Sequence, residues 1–235
     1  MKILFGLFIL AGIIILFAFK SRFQDNQYLQ SNDQPDKPIS FGYKCVWVTV
    51  KAQSSEEVAN FLGLRNQRNA NWKNGIDKAY GNEIFISPPI DGFIFIVGTS
   101  LPTADSDLNI KKAKALIDKL SLRYHTADFF VTHRIVDLHG WMKSQQGETV
   151  RAYVYLGESG DNLIVEGKEL EIEKQLNLVN TFSSEAKLDN YFSKPGLTFP
   201  DEELVMKIAE NWSVNPATLG QRKDLKEGLG ITGRL

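Results

Sequence analysis

In the stretch "THRIVDLHGW", Asp137 and His139 stand two positions apart and share a face if the segment is a strand. A carboxylate and an imidazole so placed make a D-x-H ligand pair, so a metal-assisted hydrolase using Asp137 and His139 is the sharpest catalytic reading. Glu148 or Tyr153 is expected across the next hairpin as a companion. His133 does not join them, because six residues of continuous strand span about 20 Å, too far to share one ion. The commoner fate of such a pair is cross-strand hydrogen bonding on a half-exposed face, and no metal or other cofactor is expected.

Nucleophilic chemistry comes close once, at Gly157-Glu158-Ser159-Gly160-Asp161. A nucleophile elbow needs glycine two residues after the serine and then a helix. Here Asp161 holds that place and a strand follows, so Ser159 reads as a turn residue. The single cysteine, Cys45, alternates into a strand beside Val46 and Trp47, the setting of an inert buried thiol. His125, just past a helix end, is placed to meet the last helical carbonyls. The sequon Asn211-Trp212-Ser213 closes a helical pattern and reads as packing rather than as a glycan site.

These residues depend on the elements that carry them. Tyr43–Lys51 is an alternating β-branched strand. Ser54 and Glu57 form a capping box for a short helix with Val58, Phe61 and Leu62 inward and Gly63 as its stop. Trp72, Ile76, Ala79 and Tyr80 repeat at helical spacing up to Gly81. "EIFIS", "PPID" and "GFIFIVG" follow as strand, turn and strand, the last apolar on both faces and hence covered on both sides. A helix over 107–122 carries Ala113, Leu116, Ile117 and Leu120. Antiparallel hairpins follow through "NLIVEG". Residues 169–182 suit strand and helix equally. Asp201, Glu202 and Glu203 open a last helix with Leu204, Ile208 and Trp212 as its ridge.

From Tyr43 to Val136 the order is β-α-β-β-α-β. The expected fold is α+β: a ferredoxin-like sheet extended by antiparallel hairpins and covered by C-terminal helices, preceded by a transmembrane helix. The expected organisation is an anchor over 1–22, a polar linker over 23–40, a soluble domain over 41–220 and a flexible, glycine-rich tail over 221–235.

The anchor rests on seventeen residues, Ile3 to Phe19, with no charged or hydrogen-bonding side chain. As a helix they reach about 25 Å, near the lower limit for a hydrocarbon core. Phe17-Ala18-Phe19-Lys20-Ser21-Arg22 puts bulky and charged groups where a signal peptidase needs small ones, so a retained single-pass anchor is expected. Lys20 and Arg22 on one flank stand against Lys2 and the α-amino group on the other, so the positive-inside bias leans only slightly toward a cytoplasmic domain and leaves the side of the membrane undecided. Without Lys2, Lys20 and Arg22 the 27 basic residues fall to 24 against 28 acidic ones. Such a domain has no long-range pull on nucleic acid or anionic lipid.

Two stretches invite comparison. "DGFIFIVG" resembles the third-strand signature of RNA-recognition motifs at Gly92, Phe93 and Phe95, with "VWVTV" as the first strand; the resemblance implies an aromatic stacking platform for RNA. Asp91 stands where that signature has Lys or Arg, and core aromatics account for the pattern better. "IAENWSVNPATL" resembles a helix-turn-helix at Ala209, Ser213 and Leu219, which implies a recognition helix from Pro216 offering Asn215, Thr218, Gln221 and Arg222 to nucleic acid. Without a basic patch, a helix ended by Asn-Pro is the better account.

The favoured reading is a non-catalytic, membrane-anchored domain that binds a protein partner. Its candidate surface is the hairpin region 133–161, where His139, Trp141, Arg151, Tyr153 and Tyr155 supply the aromatic and arginine content that anchors interfaces. The general style suits an inhibitor of the immunity type, which neutralises an incoming toxin at the membrane.

Overall fold

A computed structural model describes residues 34–235. The expected anchor, Ile3–Phe19, and most of the expected linker lie outside the described residues. Among the described residues no helix is long and apolar enough to cross a membrane.

The fold is mixed α+β, a nine-stranded antiparallel sheet with a few helices on its two faces. The strands are β1 (Cys45–Lys51), β2 (Arg65–Asn71), β3 (Ile84–Ile86), β4 (Phe93–Val97), β5 (Thr126–His133), β6 (Leu138–Gln145), β7 (Glu148–Leu156), β8 (Asp161–Gly167) and β9 (Leu229–Arg234). The helices are α1 (Ser55–Leu62), α2 (Trp72–Ala79), α3 (Asp107–Tyr124) and α4 (Glu202–Trp212). Across the sheet the order is β2-β9-β3-β4-β1-β5-β6-β7-β8.

Local chemistry sets the helix starts. Ser54 Oγ accepts from the Glu57 amide at 3.2 Å, and Gly63 ends α1 at φ 74°. The Asp36 carboxylate accepts from the first two amides of α2, Trp72 at 2.5 Å and Lys73 at 3.0 Å. Asp201 accepts from the Leu204 amide at 2.8 Å, as its place before Glu202 and Glu203 foretells.

β4 lies inside the sheet and is covered on both faces, as its doubly apolar pattern requires. Ile94 and Ile96 meet α1 and α3 on one face, while Phe95 and Val97 pack with α2 and α4 on the other. On that second face Trp47, Phe130, Trp141 and Tyr153 stand in register across four strands. Their rings pair as stacks, Trp47 on Phe130 at 5.2 Å and Trp141 on Tyr153 at 4.8 Å. The next row of the same face is polar: Thr49, Asp128, Lys143 and Arg151, each directly opposite the next.

One sequence expectation is corrected, and two stretches without a single reading are resolved. Residues 229–234 are not a flexible tail but strand β9, paired with β2 and β3. The glycines there serve close approach, since a Cβ at Gly230 would overlap the Ile86 carbonyl and the Phe85 ring. β2, "RNQRNAN", was invisible because an edge strand need not bury an apolar face. Residues 169–182 form neither strand nor helix apart from a short 3₁₀ turn at Glu173–Gln175.

Candidate functional site

The turn after β5 brings Asp137 and His139 together, with the imidazole buried and the carboxylate exposed. Asp137 sits at φ 53°, and its Oδ1 lies 2.9 Å from His139 Nε2. His139 is 2% exposed and faces the Tyr155 position of β7. The segment from His133 to His139 is therefore a hairpin turn rather than one strand. The register pairs His133 with Leu138 and Thr132 with His139, which sends the two imidazoles to opposite faces. Tyr153 lies opposite Trp141, and Glu148 pairs with Gln145 at the far end of the hairpin, so neither completes a ligand set with Asp137. Among the described residues no group of three His, Cys, Asp or Glu side chains is placed to hold a metal ion.

The five residues read as a partner surface are all buried, which corrects that reading. His139, Trp141, Arg151, Tyr153 and Tyr155 are between 0% and 5% exposed. Trp141, Arg151, Tyr153 and Tyr155 form the seat of the irregular segment 168–200, which crosses over β6, β7 and β8. Glu173 is its central tie. Its Oε1 accepts from Trp141 Nε1 at 2.9 Å and Arg151 Nε at 2.8 Å, and its Oε2 accepts from the Leu170 amide at 2.9 Å. Arg151 also donates to the Glu166 and Gly167 carbonyls at 3.2 and 3.3 Å. Further along, Tyr153 Oη donates to the Val179 carbonyl at 2.8 Å, and burial pushes that phenol well above its ordinary pKa. Tyr155 packs edge-on against Phe199. Sequence patterning singled out Trp141, Arg151 and Tyr153 by type but missed Glu173, which sits in the stretch whose periodicity had no single reading.

The polar row beside it holds one matched pair of its own. Asp128 forms an ion pair with Lys143, whose ammonium lies 4.7 Å from the Trp212 ring. Burial raises the Asp128 pKa, and Lys143 opposes that rise.

The outer side of segment 168–200 is different in character. Phe182 is 64% exposed, Leu188 55%, Phe192 50% and Phe199 43%. The backbone carrying them is fixed by two reciprocal bonds between Asn162 and Thr181, at 2.9 and 2.8 Å, and by Tyr191 Oη, which accepts from the Asn180 amide at 2.7 Å. Lys194 bonds Glu185 across the intervening turns at 2.6 Å.

The remaining candidates resolve as packing. Of the aromatics that resemble an RNA platform, Phe95 is buried and Phe93 partly buried; Trp47 of the matching first strand is buried too, and Phe41 packs edge-on to Trp47 and Phe95. The residues that resemble a recognition helix form a 3₁₀ turn at Pro216–Gln221, with Leu219 buried. Arg222 there is bound to Asp91 and Asp224. Ser159 Oγ donates to the Leu156 carbonyl at 3.2 Å inside its turn. Cys45 is buried and its thiol pKa is pushed up to about 12 by desolvation, so it stays protonated at neutral pH. No protein-family model, curated protein or solved structure matches this chain.

Proposed function

We propose that the chain is a non-catalytic binding protein, tethered to a bilayer through Ile3–Phe19, whose folded part captures a protein partner on the outer side of segment 168–200. The supporting observation is the grouping of Phe182, Leu188, Phe192 and Phe199 within eighteen residues, each at least 43% exposed on backbone that is already fixed. Large apolar side chains held in place before association lose little conformational freedom when a partner covers them, and such anchors dominate interface energies. The reading moves the binding surface from the hairpin residues to the segment seated on them. It keeps the sequence-derived expectation of a single-pass protein of the immunity or inhibitor type.

We read the central strands as a ferredoxin-like sheet. The order β3-β4-β1-β5, with helices between β1 and β3 and between β4 and β5, supports that reading. β2 and β9 extend this sheet at one edge, and β6 to β8 extend it at the other.

The experiment is cross-linking of the full-length protein in cells, comparing wild type with Phe182→Ser/Phe192→Ser. Both positions are at least half exposed, so thermal unfolding of the variant should match wild type. The expected outcome is one dominant protein adduct in wild type that the variant loses. An adduct of equal yield in both would refute this surface, and the absence of any protein adduct would refute the function.

A further inference from the structure

A cleft opens at the end of the sheet where β1 begins and β5 turns into β6. Helix α3 starts at Asp107, just after the loop that walls this cleft. Val46, Val131 and Leu138 line its floor, each at most 3% exposed, with Val136 of the turn beside them and the loop over 99–105 as the opposite wall. The cleft has a volume of about 410 Å³, within the range of small-ligand sites. Each segment framing it carries a non-glycine residue in the left-handed region: Lys44 at φ 51°, Ala104 at φ 54° and Asp137 at φ 53°. Residues in such conformations collect where a site dictates the backbone path.

The rim holds charges that the fold leaves unused. Beyond the last β1–β5 pair, Cys45 with Thr132, Lys44 and His133 both line the cleft. Among the described residues Lys44 has no ion-pair partner, and His133 Nδ1 is buried without a hydrogen bond. A buried ring nitrogen without a partner is costly, and a ligand group that supplies one recovers that cost. On the opposite wall stands Asp105. Asn109 Nδ2 donates to its Oδ1 at 2.7 Å, Ser106 Oγ lies 3.3 Å from the same oxygen, and these bonds hold its carboxyl below the usual aspartate range. Asp105 therefore presents a fixed negative charge, with no cation paired to it among the described residues. The hydroxyl-bearing Thr99 and Thr103 complete that wall.

A cation and an imidazole on one side, a carboxylate and two hydroxyls on the other and an aliphatic floor between them describe one class of ligand. We propose that this cleft binds a small zwitterion with an apolar body, a free apolar α-amino acid or a short apolar peptide. Its carboxylate lies toward Lys44 and His133, its ammonium toward Asp105, and its side chain on Val46, Val131 and Leu138. A purely anionic ligand would meet Asp105, and a purely cationic one would meet Lys44. This site lies on the α3 face of the sheet and is separate from the partner surface proposed on the other face.

The test is ligand-observed NMR on the full-length protein in detergent micelles. The probes are leucine, leucyl-leucine, 4-methylpentanoate, which lacks the ammonium, and isopentylamine, which lacks the carboxylate. Leucine or its dipeptide is expected to bind saturably at millimolar or lower concentration, with each single-charge analogue weaker by about tenfold. Lys44→Met and Asp105→Asn should each cost a similar factor. Val136→Trp, on the half-exposed turn, should fill the cleft and abolish binding while thermal unfolding stays near wild type. Absence of saturable zwitterion binding would overturn the proposal. Equal binding of the single-charge analogues, or binding that survives both Lys44→Met and Val136→Trp, would overturn it too.

Discussion

At the scale of single residues, the most consequential group is a carboxylate that makes no contact with solvent. Glu173 is 0% exposed, and it fastens an otherwise irregular segment to the sheet through Arg151, itself 2% exposed, and the Trp141 indole. Removing one member of a buried pair strands the other charge, which costs about 3–5 kcal/mol, whereas replacing both with apolar groups of similar volume is often nearly neutral. Glu173→Ala should therefore lower stability in urea unfolding by that amount. It should also speed amide exchange in residues 168–180, while Arg151→Met combined with Glu173→Leu should recover most of the loss. If the single and double variants unfold alike, the tie is not electrostatic. Arginine, tryptophan and tyrosine drew attention in the sequence because such residues anchor interfaces. The interface they anchor is internal, a distinction that residue type alone does not carry.

At the scale of elements, what could be read in advance was whatever has a strong local signature. The helices α1 and α4 announce themselves through Ser54 and Asp201, and β4 through apolar residues on both faces. The hairpins from β5 to β8 show their turn residues. The elements that escaped are those fixed by distant partners. β2 has no apolar stripe because it is an edge, and β9 looks like a frayed end because Gly228, Gly230 and Gly233 read as flexibility. Around β9 those glycines instead relieve crowding against Pro88, Ile86 and Arg65. Because Ile231 is paired on both sides, with Asn69 and Ile86, Ile231→Pro should destabilise the protein by upward of about 3 kcal/mol in chemical denaturation. A free tail would tolerate the same change without measurable effect. The candidate site was legible to the same degree: the right hairpin was marked, but the segment that covers it was not.

At the scale of the whole molecule, acid tolerance is set partly where three strands meet. Glu83, just before β3, receives Arg68 of β2 in a two-oxygen bond at 2.6 and 2.7 Å and the Thr232 hydroxyl of β9 at 2.9 Å. Burial raises the Glu83 pKa, but the Arg68 and Thr232 bonds prevail and hold it below its ordinary value of 4.5. A carboxyl with a lowered folded pKa contributes stability that is complete above its unfolded value and is lost as pH falls through the folded one. Stability should therefore fall as pH drops below about 4.5, and Glu83→Gln should flatten that slope while weakening the protein at neutral pH. Unfolding midpoints across pH 3 to 6 check it, and an unchanged acid slope in Glu83→Gln would assign the loss to other carboxylates.

The place of β9 has a bearing on how the protein is made. Leu229 follows Ile86 by 143 positions, yet its strand fills the slot between β2 and β3. At roughly 5–20 residues per second, a ribosome needs roughly 7–30 s to supply the missing strand after β3 has been synthesised. During that interval the inner edge of β3 stands open in a nascent chain, only three residues long and ready to accept whatever extended segment arrives first. Newborn copies growing side by side on one message would then compete to donate that strand, which makes exchange between neighbours the natural error of its biogenesis.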